Sequence, residues 1–151
     1  AWRRPLLAQR PRLRYVGVDP SEYAVQRYGA RRNIRAGGIA DLATLGLRGP
    51  FDVVVCADVL PYVPDAEIRS GLRWIADNLE GVAYLHAMTD ADSFIGDRRG
   101  FIRRSPARYE ALFAEFGLRR IGPHLYAGAV LLPTLAALEG PALSRVTRSA
   151  R

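Results

Sequence analysis

Short runs of apolar residues, separated by helical patterns, dominate the first 132 positions of the chain. Residues 51–57 are almost continuously apolar, which predicts a strand buried on both faces of a parallel sheet. Residues 14–18 and 82–87 are two further apolar runs of strand length, and a shorter one begins at Ile34 and stops at Gly37. The pattern therefore predicts four strands suited to a parallel sheet.

Helical spacing fills the intervals between these runs. The predicted helices cover residues 21–31, 64–79 and 105–117, and each opens on a serine or a proline. Residues 1–13 have the pattern of the end of another helix, and Gly81 is expected to end the helix that starts at 64. The apolar stripe expected to face the core from helix 64–79 consists of Ile68, Leu72, Ile75 and Leu79.

The last part of the pattern differs from the rest. Residues 118–121 and 124–132 are two strands close together in sequence, which predicts an antiparallel hairpin at the edge of the sheet. Residues 133–151 form a small, polar, arginine-bearing tail. The whole order predicts an α/β fold with a mostly parallel sheet and a C-terminal antiparallel hairpin, in one domain over residues 1–132.

Composition is that of an ordinary globular protein. Hydrophobic residues make up 49% of the 151 residues and charged residues 25%, and no apolar run has the length that a membrane span needs. The single cysteine, Cys56, excludes an internal disulfide and favours a cytoplasmic location. Because Cys56 lies inside a predicted strand, we interpret it as a small core residue.

The net charge of +7 comes entirely from arginine, since the chain has no lysine. Arginine pairs are scattered over helices and loops without interleaved aromatic residues: Arg3-Arg4, Arg31-Arg32, Arg98-Arg99, Arg103-Arg104 and Arg119-Arg120. We interpret these pairs as solvated surface. No dedicated nucleic-acid module is recognisable, although charge alone supports non-specific affinity.

Candidate chemistry begins at the segment YVGVDPS, residues 15–21, in which an apolar run ends on an acid and a helix follows. In nucleotide-binding α/β folds, an acid at the tip of the second strand binds the two hydroxyls of a ribose. The alternative is that Asp19 is an acid favoured by the dipole of the helix that follows. The glycine-rich loop of such a site lies about 20 residues upstream. We therefore expect the first strand and that loop to be absent from this chain.

Four segments, in this order, are similar to one enzyme family. Residues 15–21 (YVGVDPS) resemble its second strand and the acid that follows. Residues 51–63 (FDVVVCADVLPYV) resemble its fourth strand and the loop after it, and residues 79–85 (LEGVAYL) resemble a helix end and its fifth strand. Residues 105–118 resemble the helix and turn before its terminal hairpin. The family is that of the class I S-adenosylmethionine-dependent methyltransferases, and the resemblance covers residues 14–131.

The resemblance implies a Rossmann-like sheet with strand order 3-2-1-4-5-7-6, in which the absent first strand is the central one. The second and fourth strands then lose their shared neighbour and expose apolar ladder edges.

The resemblance also implies that S-adenosylmethionine is the cofactor and that it is bound at the tips of the strands. Asp19 would bind the ribose, and the adenine contact would come from backbone at Gly38 and Ile39 or from Asp41. Ala57, at the tip of the fourth strand, would lie near the methionine end. The implied cofactor residues are Asp19, Pro20, Ser21, Gly38, Ile39, Asp41 and Ala57.

Two side chains are candidates for catalysis. Asp58 follows the fourth strand of the family order and could orient substrate or act as a base, or else cap local amides. His86, near the end of the next strand, could take a proton, or be a hydrogen-bonded structural residue, which the pattern favours somewhat more. We interpret His124 as structural, and neither histidine has metal-ligand spacing with Cys56.

Three functions stay open from the sequence. The first is methyl transfer to an O, N or C nucleophile of a small molecule, although we expect this chain by itself to be inactive. The second is a non-catalytic remnant or partner-binding domain. The third is an NAD-dependent oxidoreductase, because Asp19 would serve that ribose too. The methylated atom and the oligomeric state are not determined by the sequence.

Overall fold

A computed structural model describes residues 2–93 and 99–139 of the chain, so residues 140–151 of the predicted tail lie outside the described part. The chain forms two compact units, one extending to Leu47 and the other beginning at Arg48. The first unit contains α1 (Arg3–Gln9), β1 (Gly17–Asp19), α2 (Glu22–Arg32) and β2 (Ile34–Ala36).

In the first unit, β1 and β2 form a parallel two-stranded sheet, with Gly17 opposite Ile34. Asn33 ends α2 in a left-handed conformation at φ 51° and donates from Nδ2 to the Tyr15 carbonyl at 2.8 Å. This bond ties the end of α2 to the chain just before β1. None of the described residues 2–47 is buried, so the first unit has little core of its own.

The second unit contains the hydrophobic core. Its elements are β3 (Phe51–Ala57), α3 (Asp65–Asn78), β4 (Leu79–His86), α4 (Pro106–Glu115), β5 (Arg119–Gly122), β6 (Leu125–Ala127) and α5 (Leu132–Glu139). The strands form a sheet of order β3-β4-β6-β5, in which only the β3–β4 pairing is parallel. The predicted apolar stripe is buried, with no residue of it more than 1% exposed, although its last member, Leu79, begins β4 instead of ending α3. The side chains of α4 complete this core.

The α/β fold is confirmed, and the two strand orders match the expected sheet with its central strand left out. Numbered as in the family order given above, β1 and β2 are strands 2 and 3, and the sheet β3-β4-β6-β5 has the order 4-5-7-6. The terminal hairpin is antiparallel as predicted. The division into a domain over 1–132 and a tail over 133–151 stays a prediction.

The prediction that β3 is buried on both faces is wrong. Val53 is 48% exposed, and within the described residues β3 pairs only with β4. A strand with one hydrogen-bonded neighbour keeps one row of backbone groups open to solvent, so its apolar side chains are covered less completely than those of a central strand.

The predicted role of Gly81 is also wrong, because the helix already ends at Asn78 and Gly81 lies inside β4. The pairing of β3 with β4 shifts register between Phe51 and Val53. At this bulge a Cβ on Gly81 would lie 2.0 Å from the Asp52 carbonyl oxygen. Glycine is therefore required by close backbone approach and not by a helix terminus.

The hairpin is shorter than predicted at its C-terminal side. Its second strand ends at Ala127 instead of Leu132, and α5 occupies the first part of the predicted tail. The amide of Leu131 donates to the Gly128 carbonyl at 3.1 Å, so the backbone turns out of the sheet there. Among the described helices, none is long and apolar enough to cross a membrane.

A buried guanidinium fixes the loop that follows β3. Arg104 is 5% exposed and donates to the carbonyls of Leu60 (3.1 Å) and Val63 (2.7 Å) and to Asp65 Oδ1 (2.7 Å). It also lies 5.7 Å from the ring centroid of Tyr109 on α4. Arg104 therefore connects the β3–α3 loop, the first turn of α3 and α4 through one side chain.

We expect the open edge of β3 to promote association of the 151-residue chain through strand pairing. Val53→Lys, which places a charge on that strand, is expected to slow aggregation on heating, as measured by light scattering at fixed protein concentration. Val130→Lys is the matched control, because Val130 is 61% exposed and lies outside the sheet. Equal slowing by both variants would show that added charge and not the strand edge is responsible.

Asp65→Asn is expected to destabilise the fold by about 2 kcal/mol at pH 7, because it removes charged hydrogen bonds to Arg104 and Arg108. The Arg108 hydrogen bond, and then Arg104, hold the pKa of Asp65 below its usual range. A carboxyl with a lowered folded-state pKa stabilises fully above its ordinary pKa, and this contribution is lost as the pH falls through the lowered value. Urea unfolding should therefore show the gap between parent and variant closing below about pH 4; a gap that stays constant into that range would contradict the assignment.

Candidate functional site

In the first unit, the candidate ribose-binding acid lies at the carboxyl end of β1. Asp19 is half-buried; its Oδ1 accepts a hydrogen bond from the Ser21 amide at 2.9 Å. The Gly37 amide donates to the Asp19 carbonyl at 3.2 Å, which brings the turn after β2 beside the acid. Among the described residues, no donor binds Asp19 Oδ2. Asp19 thus organises its own turn with one oxygen and keeps the other available.

Ser21 caps α2, as predicted. Its Oγ accepts from the Ala24 amide at 3.3 Å, which satisfies one of the free amides in the first turn. Pro20 is exposed beside it. The cap explains Ser21 structurally, and the predicted contribution of Pro20 and Ser21 to the floor of a cofactor site stays a prediction.

The predicted adenine-side residues form a tight turn. The Gly38 amide donates to Asp41 Oδ2 at 2.8 Å, and Ile39–Asp41 is a short 3-10 helix. Because this bond uses the Gly38 amide and one Asp41 oxygen, Gly38 has no free donor for a ligand. The Ile39 amide and the second oxygen of Asp41 are the groups of this turn that a ligand could still reach.

In the second unit, the structure brings the two catalytic candidates into contact. His86 Nδ1 lies 2.8 Å from Asp58 Oδ1, and the Asp58 amide donates to the His86 carbonyl at 3.0 Å. Asp58 follows Ala57 at the end of β3 with φ 60°, a left-handed conformation that turns its carboxylate toward the end of β4. The Asp58 side chain is 60% exposed and the His86 side chain is 32% exposed. We call these two residues the Asp58–His86 pair.

His124 lies beside this pair, which the sequence did not indicate. It occupies the turn between β5 and β6 at φ 58°, and its carbonyl accepts from the Leu85 amide at 2.8 Å. The rings of His86 and His124 are perpendicular, with centroids 4.6 Å apart. The backbone bond supports the predicted structural role, while the ring contact adds a second imidazole at the same edge. The only available signal was the position of His124 at the tip of a predicted hairpin.

The loop after β4 brings a carboxylate toward the two imidazoles. Asp92 Oδ2 accepts from the amide and the hydroxyl of Thr89, at 2.7 and 2.8 Å. These bonds hold the pKa of Asp92 below its usual range, and His86 and His124 lower it further. No group of three or more acids, histidines or cysteines that could hold a metal occurs among the described residues.

Cys56 is not a candidate nucleophile. Burial, together with the neighbouring Asp58 carboxylate, raises the pKa of the Cys56 thiol to about 12. The thiol is therefore protonated at neutral pH and unreactive. This agrees with the interpretation of Cys56 as a small residue packed inside β3.

A cavity of about 100 Å³ lies in the second unit, lined by residues that include Leu85, Tyr109, Phe113 and His124. Sites for small-molecule ligands usually measure roughly 300–1,000 Å³. The cavity is too small to be a cofactor site by itself.

Comparisons with known proteins show which family and which fold the chain resembles. A family model described as a methyltransferase domain matches residues 2–81, which is more than half of the chain. A SAM-dependent methyltransferase from Archaeoglobus fulgidus superposes with a TM-score of 0.62 at 13% identity, covering 76% of this chain and 55% of that one. No curated protein sequence matches the chain closely enough to support a comparison.

Two further solved structures have the same fold. CalO1, a methyltransferase in calicheamicin biosynthesis solved with SAH bound, gives a TM-score of 0.54 at 17% identity, covering 82% of this chain and 43% of that one. A SAM-dependent methyltransferase from Leishmania major gives 0.53 at 19% identity, covering 73% and 52%. The chain spans about half the length of these structures.

Proposed function

Because the chain belongs to the methyltransferase domain family, we propose that the whole protein transfers a methyl group from S-adenosylmethionine to an O, N or C nucleophile of a small molecule. The observation that carries this proposal is Asp19, with one unbonded carboxylate oxygen at the carboxyl end of β1 and beside the turn after β2. Ligands of open α/β sheets bind at this edge.

The donor set of the first unit fits a nucleoside. The available Asp19 oxygen would accept a hydrogen bond from a ribose hydroxyl, and the Ile39 amide would donate to the adenine. When bound, S-adenosylmethionine supplies a methyl group that its positively charged sulfur makes electrophilic. Within the first unit, the residues proposed to hold it are Asp19, Pro20, Ser21, Ile39 and Asp41, with Gly38 shaping the turn. The contribution of Ala57, at the end of β3, stays a prediction.

The Asp58–His86 pair would prepare the substrate. With the Nδ1 proton of His86 donated to Asp58, Nε2 keeps its lone pair and can accept a proton from a hydroxyl or amine. Asp58 fixes the tautomer and the ring orientation, so it is a positioning residue for His86. A cytoplasmic location is part of the proposal and is supported by the single cysteine.

Asp19→Asn in the whole protein is expected to weaken binding of S-adenosylhomocysteine about tenfold, because the charged acceptor is lost. Asparagine can still accept from the Ser21 amide, so the melting temperature without ligand should change little. Titration calorimetry measures the affinity, and Glu22→Gln is the control for loss of a neighbouring charge. Stabilisation of the protein by NAD and not by S-adenosylhomocysteine would instead support an oxidoreductase.

His86→Gln is expected to lower kcat by about 10²–10⁴-fold while the KM for S-adenosylmethionine stays unchanged, because the proton acceptor is lost. Asp58→Asn should lower kcat less, because it removes only the group that orients the His86 ring. His124→Gln is the matched control, with an expected effect of less than about fivefold. Equal losses in both histidine variants would indicate a structural contribution instead of proton transfer.

A second candidate function, binding of a partner chain without catalysis, is favoured by the open edge of β3. An exposed strand edge is a template for pairing with another chain, and Val53 is 48% exposed there. The two candidates differ in outcome: a protein that binds no S-adenosylhomocysteine and loses a partner on Val53→Lys would support the second.

A further inference from the structure

Positive charge is concentrated in the first unit. Up to Leu47 the chain has nine arginines and three acidic residues, a net charge of +6, whereas the rest has thirteen and twelve, a net charge of +1. Eight of the nine arginines are exposed, and Arg3 is half-buried. The basicity of the chain is therefore a property of one unit and not of its whole surface.

The arginines of the first unit are not balanced by acids. Every ion pair between described residues lies in the second unit, where arginines contact Asp65, Glu110 and Glu115. The carboxyl-terminal end of α2 carries a negative helix-dipole charge of about half an elementary charge, which offsets part of the positive charge of Arg31 and Arg32. Most of the excess positive charge thus has no counterpart within the described chain.

Aromatic rings lie among these charges on α2. Tyr23, Arg27 and Arg31 follow each other at intervals of four residues and so share one face of the helix. On the adjacent stripe, the Arg32 guanidinium lies 4.1 Å from the centroid of the Tyr28 ring. Tyr23 is 67% exposed. Rings and guanidinium groups therefore lie side by side on α2 at helical spacing, which the linear order of the arginine pairs did not indicate.

A second arginine-bearing segment meets the end of this helix. The bond from Asn33 to the Tyr15 carbonyl brings the chain that contains Arg14 to the carboxyl-terminal end of α2. Arg14, Arg31 and Arg32 therefore lie toward the start of β1, whereas Tyr23, in the first turn of α2, lies toward the Asp19 end of that strand. We call the exposed arginines of these two segments the basic patch: Arg10, Arg12 and Arg14 on the chain before β1, and Arg27, Arg31 and Arg32 on α2.

We propose that the basic patch binds a single strand of nucleic acid. Guanidinium groups match phosphate oxygens in bidentate geometry, and the exposed Tyr23 ring offers a face on which a base can stack. An anionic membrane would satisfy the charges but would offer the Tyr23 ring no base on which to stack. The interaction is independent of base sequence, since it rests on phosphate and stacking.

Fluorescence anisotropy of the full chain with a fluorescein-labelled 20-nucleotide RNA of mixed sequence tests this proposal. If six arginines contact phosphates, affinity should fall about 300-fold between about 50 and 200 mM salt. Arg27→Gln, Arg31→Gln and Arg32→Gln together should weaken binding at least tenfold and flatten the salt dependence. Arg10→Gln, Arg12→Gln and Arg14→Gln form a second, independent triple variant, and Tyr23→Ala should weaken binding about fivefold.

The control triple variant removes the same charge from the second unit, at the exposed positions Arg48, Arg103 and Arg119. Each is changed to glutamine, and binding should stay within about twofold of the parent apart from general charge effects. Equal weakening by control and patch variants would overturn the proposal. So would tighter binding to phosphatidylserine vesicles than to RNA with the same dependence on the patch, or an absence of RNA binding at about 50 mM salt.

Discussion

The second unit depends on one buried guanidinium. Arg104 is the only charged side chain buried among the described residues, and its fork holds two carbonyls of the β3–α3 loop while it pairs with Asp65. A buried charge is tolerated only when its hydrogen bonds are satisfied. The hydrogen bonds of Arg104 fix the loop that follows β3, which begins at Asp58, and the same side chain joins this loop to α4. Polar contacts of Arg104, within an otherwise apolar core, thus fix the loop at the edge of the sheet where we propose the chemistry.

Much of the fold follows from local patterns. The stripe of α3 and the serine caps at Ser21 and Ser105 were predictable, because periodicity and capping act within a few residues. The bulge at Gly81 and the exposure of Val53 were not, because both depend on which strand lies beside β3. Arg104 gave no signal at all, since one arginine in a polar loop resembles any solvated arginine until its partners are known.

The geometry of the candidate site was also predictable from the sequence only in part. That Asp58 and His86 lie together follows from their positions at the ends of two consecutive parallel strands. Their direct contact required the left-handed backbone of Asp58, which an aspartate adopts more readily than most residues but which its sequence context does not specify. In the first unit, the local bonds made by Asp19 and Asp41 show how a carboxylate can organise a turn and still keep one oxygen for a ligand.

The shielded thiol of Cys56 has a practical consequence. Because burial raises the pKa of this thiol to about 12, the thiol is protonated at neutral pH and should react only slowly with maleimide dyes. A cysteine placed at an exposed surface position would then be the single reactive group in the chain. Pairs of dyes introduced in this way, one in each compact unit, would report the spacing of the units in solution without first removing the native cysteine.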